Sequence, residues 1–332
     1  MELRPGPRNA ITDVPGIRLG HAEAPDWGTG TTVVLAETPA IAAAELRGGA
    51  PGTRETALLS SDVLIDRVDA VVLSGGSVLG LDAAGGVGDW LRSVGRGLQI
   101  RGARVPIVPA AIIFDLPFIA DPSHAAGSPY HRLGWEAVER AGQDVALGNV
   151  GAGYGATTAD LKGGFGTASA VLSAGGYTIG AAVAVNAIGS AVIPGTDRFW
   201  AGAFEIDAEF GGLGPPAHYP VATDIPVKDA ARAGENTTIA ALATDAPLSQ
   251  RQARRLAVMA QDGFARALYP VHTPFDGDLV FALSTGEGEE VSAPMLIALG
   301  AVASTVVARA IARAIWSAEG LGGVPGYRDR RD

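Results

Sequence analysis

Residues 234–243, Gly234-Glu235-Asn236-Thr237-Thr238-Ile239-Ala240-Ala241-Leu242-Ala243, pass from a polar loop into an apolar run. The plain reading is a loop over 233–236 that feeds a buried strand over 238–243. Asn236-Thr237-Thr238 also satisfies the N-x-T glycosylation sequon, which is inert without secretion. A sharper reading is a self-cleaving junction. The Thr237 hydroxyl attacks the Asn236 carbonyl, an N-to-O acyl shift forms an ester, and water frees Thr237 with a hydroxyl and an α-amine on one residue. The pairing suits the chemistry, because a threonine hydroxyl is a weak nucleophile until a neighbouring base takes its proton. An α-amine with a pKa of about 7.7–8.0 is partly neutral near pH 7.5, whereas an ordinary lysine at about 10.4 is not, a gap of roughly 3.5 kcal/mol. On this stretch by itself both readings stay open.

Outward from the junction, composition narrows the chemistry. The 332 residues are 47% hydrophobic and 18% charged, enough apolar surface for one large core, and no Pro/Ser-rich or charged linker divides them. We read residues 1–332 as a single domain. Cysteine is absent, which removes disulfides, thiolate metal sites and thiol nucleophiles. The basic residues include only two lysines, Lys162 and Lys228. A net charge of -10 argues against nucleic acid as a partner, since phosphate binding needs clustered Lys and Arg. The N-terminal stretch lacks the apolar core of a secretory signal, so a cytoplasmic protein acting on small molecules is expected.

Residues 163–196 carry no charge over 34 positions, superficially enough to cross a bilayer. Gly175-Gly176 and Pro194-Gly195 instead cut this stretch into strand-length pieces. The uncharged run 291–308 interleaves small with apolar residues and leads to Arg309, as a helix buried between layers would. No membrane association is expected.

Strands are expected over 31–35, 70–73, 107–113, 165–172, 177–185, 238–243 and 279–283. Ser249 and Gln252 form a capping-box pattern ahead of a helix that runs to about Leu268. Weaker helices follow Gly80 and cover 133–140. The strands are apolar on both faces, which points to stacked sheets covered by helices, with a plain doubly wound sheet as second choice.

Three motifs compete with the junction. Gly151-Ala152-Gly153-Tyr154-Gly155-Ala156 has the dinucleotide-binding form, but neither the helix nor the acidic residue that should follow is present. Gly75-Gly76-Ser77-Val78-Leu79 resembles a nucleophile elbow with Leu79 in place of the second glycine, which keeps a serine hydrolase built on Ser77 as the alternative enzyme. His272 with Asp276 and Asp278 could be drawn as metal ligands, but the spacing is not diagnostic. A non-enzymatic binding module is the alternative outside enzymes.

Six ordered blocks carry a resemblance over nearly the whole chain: TDVPGIRLGH (12–21), LSGGSVLGLDAAGGV (73–87), GNVGAGYGATTADLKGGFGTAS (148–169), AVNAIG (184–189), ENTTIAALATD (235–245) and HTPFDGDLVFALSTG (272–286). In these the sequence resembles the L-aminopeptidase/D-esterase and β-peptidyl aminopeptidase family, which includes the nylon-oligomer hydrolases. The resemblance implies an αββα sandwich of the N-terminal-nucleophile hydrolase type. It also implies cleavage between Asn236 and Thr237 into an α chain, 1–236, and a β chain, 237–332, of roughly 24 and 10 kDa.

By the same resemblance Thr237 is the nucleophile, Lys162 orients it and supports charge, Asn186 donates to the oxyanion, and Asp276 and Asp278 contact the hydroxyl and amine. No cofactor is implied. The substrate would be a small peptide or oligoamide, and the assembly a homo-oligomer, a tetramer by family resemblance. Thr237 and Asp276-Gly277-Asp278 side with the nylon-oligomer branch, whereas Phe114 stands where some relatives carry tyrosine.

Overall fold

In the computed structural model, which describes residues 3–60, 62–116, 127–220, 225–228 and 236–330, the apolar run after Asn236 is a strand with every residue buried. Residues 233–235 of the expected loop lie outside the described residues. In chain order the strands are β1 (Leu3–Arg4), β2 (Ile17–Ala24), β3 (Thr29–Leu46), β4 (Thr53–Arg54), β5 (Arg67–Ser74), β6 (Leu98–Ile100), β7 (Ala103–Val105), β8 (Ala110–Ile112), β9 (Gly164–Leu172), β10 (Thr178–Asn186), β11 (Thr237–Thr244) and β12 (Leu279–Ser284). The helices are α1 (Ala83–Ser93), α2 (Tyr130–Glu139), α3 (Gln250–Ala260), α4 (Asp262–Ala265) and α5 (Ala293–Ser317).

Hydrogen bonding runs in the order β1-β9-β10-β11-β12-β3-β5-β8-β4, with β2 also on β3. The long β3 makes this path fold back on itself. Its first half pairs with β2 and β5 and its second half with β12, and the register shifts between Leu35 and Ala40. Alternation along the strands then separates three apolar layers. Ala240 and Leu242 of β11 pack with α3 and α5. Ile239, Ala241 and Ala243 face the opposite way, into a sheet-against-sheet core with Val34, Val71 and Leu73. Val33, Leu35, Ala70 and Val72 form the third layer beneath α1 and α2. The fold is therefore an αββα sandwich, as expected, and not a doubly wound sheet.

Several local expectations change. The 107–113 strand shortens to Ala110–Ile112, because Pro106 and Pro109 cannot donate to a ladder. The capping box at Ser249 is present, with Ser249 N–H donating to Gln252 Oε1 at 3.3 Å. The helix behind it divides into α3 and α4, close to Gly263, where a Cβ would meet the Ser304 carbonyl of α5 at 2.5 Å. Helix α5 is an outer layer rather than an element between two layers. It is long and apolar enough to cross a membrane, and in this structure its apolar residues from Leu299 to Ile315, except the exposed Ala301, are buried against the sheet, α3 and Phe210.

One buried polar cluster ties α5 to the rest of the chain. Arg309 is fully buried and its guanidinium donates to Glu209, to the Ser169 carbonyl at 2.8 Å and to Asn9 Oδ1 at 2.9 Å.

Candidate active site

The sheet order brings four sequence-distant segments to one end. β11 and β12 are parallel, so Thr237 and the turn before Leu279 lie together. β10 is antiparallel to β11, which brings its last residue, Asn186, opposite Thr237. β9 is antiparallel to β10, so its first residues, just after Lys162, arrive at the same end. Asn236 and Asp276 extend the β11–β12 pairing by one parallel bridge.

Thr237 is 2% exposed. Its hydroxyl donates to the carbonyl oxygen of Asn236, within the peptide unit that precedes it. The same carbonyl accepts the Gly277 N–H at 2.9 Å. Gly277 has no room for a side chain, since a Cβ would stand 2.7 Å from Thr237 Oγ1 and 2.9 Å from the Ala50 carbonyl. The Asn236 side-chain amide is buried, and neither its nitrogen nor its oxygen has a partner among the described residues.

The two carboxylates beside Gly277 are both 1% exposed. Asp278 accepts the Thr238 N–H at 2.7 Å through Oδ1. Its Oδ2 takes the His272 N–H at 3.1 Å and lies 2.8 Å from His272 Nδ1. Asp276 Oδ2 accepts the Thr273 N–H at 2.8 Å and Oδ1 the Ile188 N–H at 3.4 Å. Burial first, and then the neighbouring Asp278, push the Asp276 carboxyl above the usual carboxylate range. The pair thus holds the backbone around the junction and offers one carboxyl readier to keep a proton. The hydrogen bond between His272 and Asp278 replaces the metal-ligand drawing of these residues.

Asn186 is fully buried. Its Oδ1 accepts the Thr157 N–H at 2.9 Å and the Lys228 ammonium at 3.1 Å, while Nδ2 donates to the Phe114 carbonyl at 2.9 Å. These contacts fix which way the amide is turned. Phe114 enters the site through its backbone carbonyl, a contact that needs no side-chain hydroxyl.

Lys162 is fully buried. Its ammonium donates to the carbonyls of Gly153, Ala156 and Gly163 at 3.0, 2.8 and 3.0 Å, which uses all three donors. Burial brings its pKa down to about 7, against the opposing pull of Asp115. The expected role of orienting Thr237 therefore has no direct hydrogen bond behind it in this structure. Lys162 acts as a caged cation next to β9.

Three contributors were not anticipated from sequence: the Gly277 N–H, Lys228 and Asp115. Lys228 carried a signal, as one of only two lysines. Asp115 adjoins Phe114, but its partners come from four separate segments. Ser77 follows Gly76 in the left-handed region, with φ +53, as an elbow serine would. Among the described residues its hydroxyl makes no hydrogen bond to a histidine or carboxylate.

Comparison with known proteins adds a lineage to this geometry. Residues 9–328 match peptidase family S58. An uncharacterised aminopeptidase of Mycobacterium tuberculosis is 43% identical over 97% of both chains. The 6-aminohexanoate-oligomer endohydrolase of Paenarthrobacter ureafaciens is 31% identical over 91% of this chain and 84% of its own. Among solved structures, the L-aminopeptidase D-Ala-esterase/amidase of Ochrobactrum anthropi, described as a variant of the Ntn hydrolase fold, superposes with a TM-score of 0.71. It covers 98% of this chain and 90% of its own at 24% identity, a likeness of fold.

Proposed function

Because the chain belongs to peptidase family S58, we propose that it is an autoproteolytic amide hydrolase that cuts itself between Asn236 and Thr237 and then works through the new N-terminal threonine. The observation that carries this reading is the contact of the Thr237 hydroxyl with the Asn236 carbonyl, a group that also receives the Gly277 N–H. A nucleophile on the peptide unit it must attack, with a donor already on the oxygen that gains charge, matches what an acyl shift needs.

In the first step Thr237 Oγ1 adds to the Asn236 carbonyl carbon, the C–N bond breaks, and the nitrogen takes the hydroxyl proton. Water then adds to the resulting ester, releasing Asn236 as a carboxylate and restoring the Thr237 hydroxyl beside a free α-amine. In turnover the hydroxyl adds to a substrate amide, its proton passes to the α-amine and on to the leaving nitrogen, and water resolves the acyl-threonine. Asn186 is assigned to the oxyanion. Asp276 and Asp278 hold the junction backbone and the amine, and Lys162 supplies positive charge in its protonated form. The substrates proposed are short linear amides: peptides with a free amine, as the names of the aminopeptidase relatives suggest, or 6-aminohexanoate oligomers, as the endohydrolase relative suggests.

Intact mass of the purified wild type should give two fragments, beginning at Met1 and Thr237, and Thr237→Ala should stay whole and inactive. A panel of aminoacyl anilides, β-peptides and 6-aminohexanoate oligomers then identifies the substrate class. An uncut chain with full activity, or a Thr237→Ala variant still cut at this bond, sinks the proposal. Loss of turnover on Ser77→Ala with Thr237→Ala active would give the site to Ser77.

A further inference from the structure

One buried carboxylate close to the site, Asp115, has no part in the chemistry above. Asp115 is 1% exposed, and both of its oxygens are engaged. Oδ2 accepts the Thr29 hydroxyl and Oδ1 the Gly76 N–H, each at 2.7 Å. Tyr130 of α2 completes the chain by donating its hydroxyl to Thr29 Oγ1 at 3.3 Å.

The surrounding backbone is shaped to this side chain. A Cβ at Gly75 would lie 2.0 Å from Asp115 Oδ2, and one at Gly155 would lie 2.9 Å from Asp115 Cβ. Gly76 has φ +86, and a Cβ there would lie 2.0 Å from the Tyr130 hydroxyl. Two glycine-rich blocks, 73–87 and 148–169, thus both close on the Asp115 side chain. The second block also supplies the Gly153, Ala156 and Gly163 carbonyls that cage Lys162. The residue before Asp115 supplies the carbonyl that orients the Asn186 amide.

We infer that Asp115 is a positioning residue of the hydrolytic site, serving as counter-ion to the caged Lys162 ammonium and as the anchor that holds the Phe114 carbonyl on Asn186. This rests on the reading of Thr237 as nucleophile. An ammonium enclosed by neutral carbonyls is costly without a nearby negative charge. Burial alone brings Lys162 down, and Asp115 is the group that pulls it back up. Asp115 is itself raised to about 6 by burial, against Thr29, Gly76 and Lys162. Among the described residues, the titratable groups bearing on the pair are these two and the Tyr130 phenol, whose proton is held more tightly by burial and then by Asp115.

The sign follows. Without the carboxylate, Lys162 gives up its proton at lower pH, and a neutral amine has one donor too few for three carbonyls. Activity that needs the ammonium then fades earlier as pH rises.

The test is the pH–rate profile of amide turnover by the matured enzyme for wild type, Asp115→Asn and Asp115→Glu. Asp115→Asn should move the alkaline limb down by about one pH unit, with kcat at pH 8 lower by about tenfold or more and KM little changed. Asp115→Glu, which keeps the charge, should keep the limb in place. An Asp115→Asn limb at the wild-type position, or a Glu variant shifted as far as the Asn variant, overturns the inference. Should Asp115→Asn fail to fold, Asp115→Asn/Lys162→Met should recover folding, because the lone buried charge is gone. A double variant no better folded than the single one also overturns it. Self-cleavage of Thr237→Ala would instead refute the nucleophile reading, whatever Asp115 does.

Discussion

The Gly277 N–H donates to the Asn236 carbonyl at 2.9 Å, from a backbone position where a Cβ would press within 2.7 Å of Thr237 Oγ1. The N–H and the Thr237 hydroxyl therefore share one narrow space, which only a residue without a side chain leaves open. Gly277→Ala keeps the N–H but displaces the hydroxyl or the turn. Self-cleavage should slow by at least about tenfold, equivalent to roughly 1.4 kcal/mol on the barrier. A gel time course of the refolded precursor measures it, and a wild-type rate would contradict the proposed geometry.

Arg309 offers a test of stability away from the chemistry. Its guanidinium is fully buried and Glu209 is nearly so, with side chains 0% and 7% exposed. Arg309→Met leaves that carboxylate without its main partner and strips donors from the Ser169 carbonyl and Asn9. Removing one member of a buried ion pair costs about 3–5 kcal/mol. Thermal denaturation should show Tm lower by about 5 °C or more, with the junction still cut at low temperature.

His21 predicts an acid-sensitive fold. Its Nδ1 lies 2.9 Å from Thr32 Oγ1, Nε2 is buried without a partner among the described residues, and the ring stands edge-on to Phe165. Burial brings its pKa down to about 4, only partly offset by a backbone hydrogen bond to Ala146. Between about pH 6.5 and 4 the unfolded chain binds a proton that the folded chain refuses, so stability falls as pH falls through that window, by up to roughly 3 kcal/mol. His21→Asn removes this dependence. Its Tm should drop less than that of the wild type between pH 7 and pH 5, and an equal drop would exclude His21 as the cause.

Lys228 donates to Asn186 Oδ1 at 3.1 Å, and its backbone N–H reaches the Ile188 carbonyl at 3.0 Å. A charged donor on the amide oxygen fixes the turn of the amide and polarises its N–H bonds. Lys228→Met should lower kcat by about tenfold, the scale of one charge-assisted hydrogen bond, with self-cleavage still reaching completion. Steady-state kinetics on the matured variant check this, and an unchanged kcat would remove Lys228 from the site.

Legibility in the sequence divides along local and non-local lines. The strand after Thr237 and the capping box at Ser249 are written in contiguous residues, and each is found where those residues indicate, whereas the carboxylates at 276 and 278 lie in the turn before β12 rather than on a strand. Strand β3 was recognisable only in part, because Glu37, Thr38 and Pro39 look like a loop and are exposed, whereas they form the bend where one strand passes between sheets. Strand β2 was hidden by Arg18, His21 and Glu23 among its apolar positions. Asp115 was invisible as a site residue for a different reason. Its meaning comes from Thr29, Gly76, Tyr130 and Lys162, and no spacing rule connects positions that far apart.

The order β10-β11-β12-β3 bears on how the proposed nucleophile would come into being. Strands β11 and β12 follow the proposed cut, and both flanking strands precede it. The segment from Thr237 onward is thus clasped on both edges, by eight ladder positions on β10 and six on β3. Made alone, it would present two open strand edges, a template for aggregation, and its leading threonine would lack Asn186 opposite it. On the proposed mechanism the junction is assembled only after the whole sandwich has closed, so the proposed cut would certify the fold. A misfolded copy would then stay in one piece and inert, and the ratio of cut to uncut chain would be an internal gauge of how much of any preparation is correctly built.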